Sequence, residues 1–176
     1  MSKAVLISIR PKWSELIASG EKTIEVRKTR PKLETPFKCY IYCTKPSFPH
    51  EDFFVFDAGT DKAKTFYGGG KVIGEFVCDR IIDWHYIPDP DESADPGSMA
   101  YDVLTADGEK TGLEYDDFED YGKGAPLYGW HISELVVYDE PKKLSEFTGL
   151  RKTKFGYLPY EIKLPPQSWV YVEELG

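Results

Sequence analysis

The chain has 176 residues, 41% hydrophobic and 15% aromatic, which suits one folded domain with a substantial core and argues against a disordered chain. Its formal net charge of −8 excludes a protein that coats nucleic acid by bulk charge. No run reaches the roughly 18 apolar residues of a membrane span, and the first apolar run, Ala4 to Ile7, is too short for a signal peptide, so a cytoplasmic protein without a membrane partner is expected.

In chain order, residues 5–9 read as a first strand. Pro11 suits a first helical turn, Trp13, Leu16 and Ile17 recur at i, i+3, i+4, and Gly20 suits the position just past a helix end. A helix is therefore predicted over residues 12–19, with Trp13 in the core. Residues 24–29 alternate as a strand. Ile24, Val26 and Lys28 share one face; Glu25, Arg27 and Thr29 share the other. A basic, proline-bounded loop follows over residues 30–36. Residues 37–44 alternate so clearly that a half-buried strand is expected, with Phe37, Cys39, Ile41 and Cys43 inward.

Residues 45–70 read as an insertion with one short strand. Gly68-Gly69-Gly70 is read as a hairpin turn, because neither Gly-Lys-Ser/Thr nor a helix follows it. Residues 71–80 form a strand that continues as extended chain to residue 86. An exposed acidic loop is expected over residues 88–96, without the spacing of a calcium loop. Asp107-Gly108 marks a tight turn. A short acidic helix is predicted over residues 113–121, from Leu113, Asp117 and Tyr121, with Gly122 ending it. Residues 128–138 return to strand, with either Trp130 or His131 inward. A helical turn at 145–148 and an extended segment at 168–174 complete the chain.

The charge is unevenly placed. Residues 1–45 hold ten Lys/Arg and four Asp/Glu, whereas residues 79–120 hold two and fourteen. Within the basic region, Lys22 stands at the entrance of the motif strand, and Glu25 and Arg27 project from one of its faces. Arg27 offers a planar fork of donors, Glu25 can accept from an amino group, and Lys22, if desolvated beside Arg27, would have a lowered pKa. On the residues alone, a salt-bridge ladder contributing about 0–1 kcal/mol per pair is the better reading.

The spacing Gly20-x-Lys22-x-x-Glu25-x-Arg27 resembles the signature of the ASCH family, whose fold is PUA-like, and this reverses that order. The opening strand and helix, and the strands near 37–44, 71–79 and 128–135, are similar to the family's as well. The resemblance implies an α+β fold: a small PUA-like β-barrel of about six strands with short flanking helices. It implies one domain over residues 1–176, with an insertion near 46–70, an acidic loop near 86–120 and a C-terminal extension near 141–176. Pro165-Pro166-Gln167-Ser168-Trp169 is similar to a tail of phage-associated members, and Gln167, Ser168 and Trp169 join Lys22, Glu25 and Arg27 as candidate ligand-binding residues.

The implied partner is RNA, a nucleotide or a modified nucleoside. An alternative is hydrolysis, of RNA or of an acetylated cytidine, with Lys22 and Glu25 as candidate catalytic residues. Related hydrolases use a lysine, a threonine and a glutamate; Lys22 matches the first, Glu25 replaces the second, and the third has no assigned counterpart. A further alternative is an accessory factor that binds a protein through the acidic 79–120 region. No metal or other cofactor is expected, since Cys39, Cys43 and Cys78 lack ligand spacing and read as buried thiols.

Overall fold

A computed structural model describes residues 2–45, 53–57, 62–66, 69–84, 86–88, 99–101 and 110–176. The predicted acidic loop and the Asp107-Gly108 turn lie largely outside them. No described helix is long and apolar enough to cross a membrane.

The apolar run near the start becomes β1 (Lys3–Ile9). It pairs in parallel with β3 (Phe37–Cys43) and antiparallel with β12 (Trp169–Glu173), in the interior of an eight-stranded sheet. Its residues are apolar on both faces because both are covered. Val5, Ile7 and Ile9 enter the main core, while Ala4 and Leu6 enter a second cluster behind it. β3 behaves likewise. Phe37, Cys39, Ile41 and Cys43 face the main core as expected, but Tyr40 and Tyr42 are also buried, so the strand is not half-exposed. The Tyr40 hydroxyl accepts from the Leu175 amide at 2.8 Å, which satisfies its one polar atom.

β6 (Lys71–Trp84) and β9 (Leu127–Lys142) form the longest ladder, and β2 (Ile24–Arg27) pairs with the first part of β9. Three register shifts interrupt the β6–β9 ladder. Such bulges bend a sheet and increase its twist, and Glu134 beside one of them adopts φ +48°. The full strand order is β11-β10-β12-β1-β3-β6-β9-β2, with β10 at Thr148–Thr153 and β11 at Gly156–Glu161. Two separate hairpins, β4 (Phe53–Asp57) with β5 (Lys62–Phe66) and β7 (Tyr86–Pro88) with β8 (Met99–Tyr101), complete the described strands.

The sheet differs from the expected closed barrel of about six strands. It has eight strands, and no backbone ladder joins its ends among the described residues. It does curl. β2 lies four places from β1 in the strand order, yet Arg27 Nη2 donates to the Ser8 carbonyl on β1 at 2.5 Å. Just beyond β2, Thr29 Oγ1 accepts from Trp169 Nε1 at 2.9 Å, and the Lys32 amide donates to the Tyr171 hydroxyl at 2.8 Å. Side chains, not a ladder, therefore close the seam between β2 and the β1–β12 pair.

The helix α1 (Pro11–Ala18) buries Ile17 in the main core. The acidic helix is α2 (Tyr115–Gly122), which packs Phe118 against Ile24, Val26, Trp84 and Leu127 in a third cluster. The insertion near 46–70 contains two described strands where one was expected. The C-terminal extension contributes β10 and β11, which were not predicted, and the turn expected at 145–148 is a 3-10 turn over Leu144–Glu146.

Candidate functional site

After α1, Gly20 takes a left-handed φ of +82°, which suits a residue without a Cβ. The chain reverses, and the Lys22 amide donates back to the Leu16 carbonyl at 2.9 Å. The Lys22 side chain thereby enters the protein, with Nζ 5.2 Å from the ring centroid of Trp13 and 2.5 Å from the Thr111 carbonyl. On β2, the two-residue period separates the faces. Ile24 and Val26 serve the third core cluster, while Glu25 and Arg27 form an ion pair with Arg27 Nη2 to Glu25 Oε1 at 2.9 Å. Lys22 Nζ lies 3.5 Å from Glu25 Oε2.

The result is one chain of charges, Lys22–Glu25–Arg27, whose members are only 2%, 6% and 8% exposed. Burial lowers the Lys22 pKa from its ordinary value; Glu25 opposes the shift, and Arg27 adds to it weakly. Arg27 is fixed further by the Ser8 carbonyl and by Ser168 Oγ at 3.5 Å, while its Nε is buried without a partner.

All three side chains line a cavity of about 760 Å3, a volume within the usual range of small-molecule sites. Ser8, Arg10 and Trp13 line it from the β1–α1 side, and Gln167 from the C-terminal segment. Asp117, Asp120 and Tyr121 line it from α2. The charged lining is thus three cations (Arg10, Lys22, Arg27) and three carboxylates (Glu25, Asp117, Asp120). The site offers many hydrogen-bonding groups with no net charge. Trp13 and Tyr121 supply aromatic surface.

The sequence-predicted residues divide. Lys22, Glu25, Arg27 and Gln167 line this cavity. Ser168 reaches it only through Arg27. Trp169 lies outside it, edge-on to Tyr171 with ring centroids 5.3 Å apart and tilted against Trp130 at 5.9 Å. Trp13 is half-buried: it packs on the core as expected but also lines the cavity. Trp130 is the inward residue of its pair. His131 faces away, with Nδ1 2.6 Å from Asp79 Oδ1.

The helical spacing of Leu113, Asp117 and Tyr121 gives them no site role by itself, yet the face they share is the one presented to the cavity. The three cysteines are free and buried in the main core. Among the described residues no three His, Cys, Asp or Glu are grouped to hold a metal ion.

The mixed α+β fold, with two helices and this eight-stranded sheet, is that of an ASCH-type, PUA-like domain. The sequence pattern of the ASCH domain matches residues 7–166, and the chain belongs to that family. Its structure is similar to the crystal structure of ASCH from Zymomonas mobilis, with a TM-score of 0.53 and 18% identity over 97% of this chain and 88% of that one. Two point variants of the Zymomonas protein, one Tyr-to-Phe and one Ser-to-Ala, align with a TM-score of 0.54 and 16% identity over 97% of this chain and 91% and 89% of theirs. At such identities the likeness carries the fold alone. No curated protein matches the chain.

Proposed function

We propose that the chain is an RNA- or nucleotide-binding module that takes an unpaired base into the Lys22–Glu25–Arg27 cavity. The observation that carries this reading is the burial of three connected charges around a ligand-sized space. Stability alone gives little reason for them, because well-packed apolar residues are often neutral or better than a buried ion-pair chain. A base edge provides such a reason. Its amino groups meet the Glu25 carboxylate, its carbonyls and ring nitrogens meet Lys22 and the Arg27 fork, and its face lies against Trp13 or Tyr121. The balanced lining favours a neutral base over a phosphate. PUA-like folds are often linked to RNA binding, which agrees with this reading.

The test is calorimetry with nucleosides, acetylated cytidine among them, and with short RNAs. Binding should weaken at least ~10-fold in Arg27→Ala, whereas Lys71→Ala, a surface substitution, should leave it unchanged. Absence of any nucleoside or RNA binding by the wild type would sink the reading.

One observation favours a second reading, hydrolysis of a modified nucleoside or of RNA. Burial lowers the Lys22 pKa, and the Glu25 carboxylate lies 3.5 Å from its Nζ, so a lysine and a proton acceptor stand side by side in the cavity. Asp117 and Asp120 face the same space and are candidates for the further carboxylate that related hydrolases use. Glu25→Gln separates the readings. A binding module changes in affinity and shows no turnover in either form. A hydrolase turns over as wild type and slows at least ~100-fold in the variant.

A further inference from the structure

A second concavity opens where β10 leaves β12. All six residues of β10 pair with β11, but only Gly149 pairs across to Val172 on β12. The strands then part around a groove of about 390 Å3, lined by Leu150, Arg151 and Lys152 of β10, Tyr160 of β11, and Trp169, Val170 and Tyr171 of β12. We propose that this groove is a track for single-stranded nucleic acid, continuous with the cavity. A chain with one base in the cavity lays its next nucleotides along Trp169 and Tyr171, with phosphates on Arg151 and Lys152. The inference rests on the base-binding reading of the cavity.

Three observations converge. The first is continuity. Gln167 lines the cavity and Trp169 lines the groove, two residues apart and so separated by at most about 7 Å of chain.

The second is a rigid aromatic wall. Trp169 Nε1 is tied to Thr29 and the Tyr171 hydroxyl to the Lys32 amide, and Tyr157 meets Tyr171 at a centroid distance of 5.7 Å. Held in this way, the rings lose little freedom when a base stacks on them, and stacking tolerates any base.

The third is charge. The cavity lining is balanced and offers a polyanion no excess of cations. Residues 142–163, in contrast, carry six Lys/Arg against Glu146 and Glu161, in a chain whose net charge is −8. Among the described residues Arg151 and Lys152 are exposed and have no carboxylate partner, so both are available to phosphates.

The probes are 5′-fluorescein hexauridylate and hexaadenylate by anisotropy, and uridine, adenosine and acetylated cytidine by calorimetry. The variants are Arg151→Ala with Lys152→Ala, both exposed and safe for folding, and Arg27→Ala. Wild type should bind a hexamer at least ~10-fold more tightly than the best nucleoside. The Arg151/Lys152 double variant should lose about 10-fold in hexamer affinity and lower the salt slope by about 1.4, at ~0.7 for each phosphate contact on a single strand. Its nucleoside affinity should not change.

A double variant that binds the hexamer with wild-type affinity and slope, while nucleosides still bind, overturns the track and leaves the cavity reading standing. Hexamer binding that needs Arg151 and Lys152 but not Arg27, with no nucleoside bound, supports the groove and overturns the cavity reading. A wild type that binds no hexamer but dimerises in sedimentation, and is made monomeric by Arg151→Glu, overturns the track in favour of a protein occupant.

Discussion

At the scale of the residue, Glu25 is the centre of the site, since one carboxylate joins Lys22 to Arg27. Its removal strands two buried cations, and breaking a buried pair from one side costs about 3–5 kcal/mol. Glu25→Ala should therefore fall in urea stability by about that amount, while Glu25→Gln, which keeps the shape and one acceptor, should lose less. Equal losses would show that the charge is irrelevant. Arg27→Lys is a second test. Lysine keeps the charge but cannot reach Glu25, Ser8 and Ser168 together as the planar fork does. Nucleoside affinity should drop nearly as far as in Arg27→Ala; full retention would show that only charge matters.

At the scale of the element, glycines in the long strands mark close approaches. A Cβ at Gly74 of β6 would lie 2.4 Å from the Val136 carbonyl oxygen on β9, and backbone cannot move aside cheaply. The atoms nearest a Cβ at Gly149 of β10 belong to the exposed Tyr160 ring, a side chain that can swing. Gly74→Ala should cost about 1–3 kcal/mol, the range for overpacking, and Gly149→Ala clearly less, as read from urea midpoints. Glu134→Gly should stabilise by roughly 1 kcal/mol, because the bulge holds this residue at φ +48°, where a side chain is strained.

The elements also explain what the sequence concealed. α1 and β2 were legible because each has an apolar period that matches a buried face, and β1 because it is a short apolar run covered on both faces. β10 and β11 were not: β10 changes from buried to exposed halfway along rather than alternating, and β11 is almost wholly exposed and carries Pro159, which is tolerated only at a sheet edge. The site was legible only where its residues lie close in sequence. Lys22 and Thr111 are 89 residues apart, and no local pattern announces that α2 closes over β2.

At the scale of the whole molecule, the three thiols make the fold sensitive to alkali. Burial raises Cys39 well above its ordinary pKa of 9.0, Cys43 to about 11 and Cys78 to about 12. Folding therefore holds protons that the unfolded chain releases. This stability is fully present below about pH 9 and is lost as pH rises through the folded values. The raised tyrosines, Tyr40 and Tyr138 among them, act in the same sense at higher pH. Lys22 opposes them: its lowered pKa makes the fold gain stability as pH rises towards 10.5. Urea stability in reductant should decline from pH 9 upward, and Cys78→Ala should flatten that decline; an unchanged slope would refute the linkage.

The seam between β2 and β1 has a further consequence. An open sheet leaves two unpaired rims, and a bare rim recruits the strand of another molecule. β11 is guarded by its proline, Pro159. β2, with the apolar Ile24 and Val26, is guarded by the turned-in charges of Glu25 and Arg27 and by the grip of Arg27 on Ser8. The signature that marks the cavity is thus also a safeguard of solubility. A neutral, apolar replacement such as Arg27→Leu should leave a chain that scatters light and forms oligomers on mild heating, at temperatures where the wild type stays monodisperse.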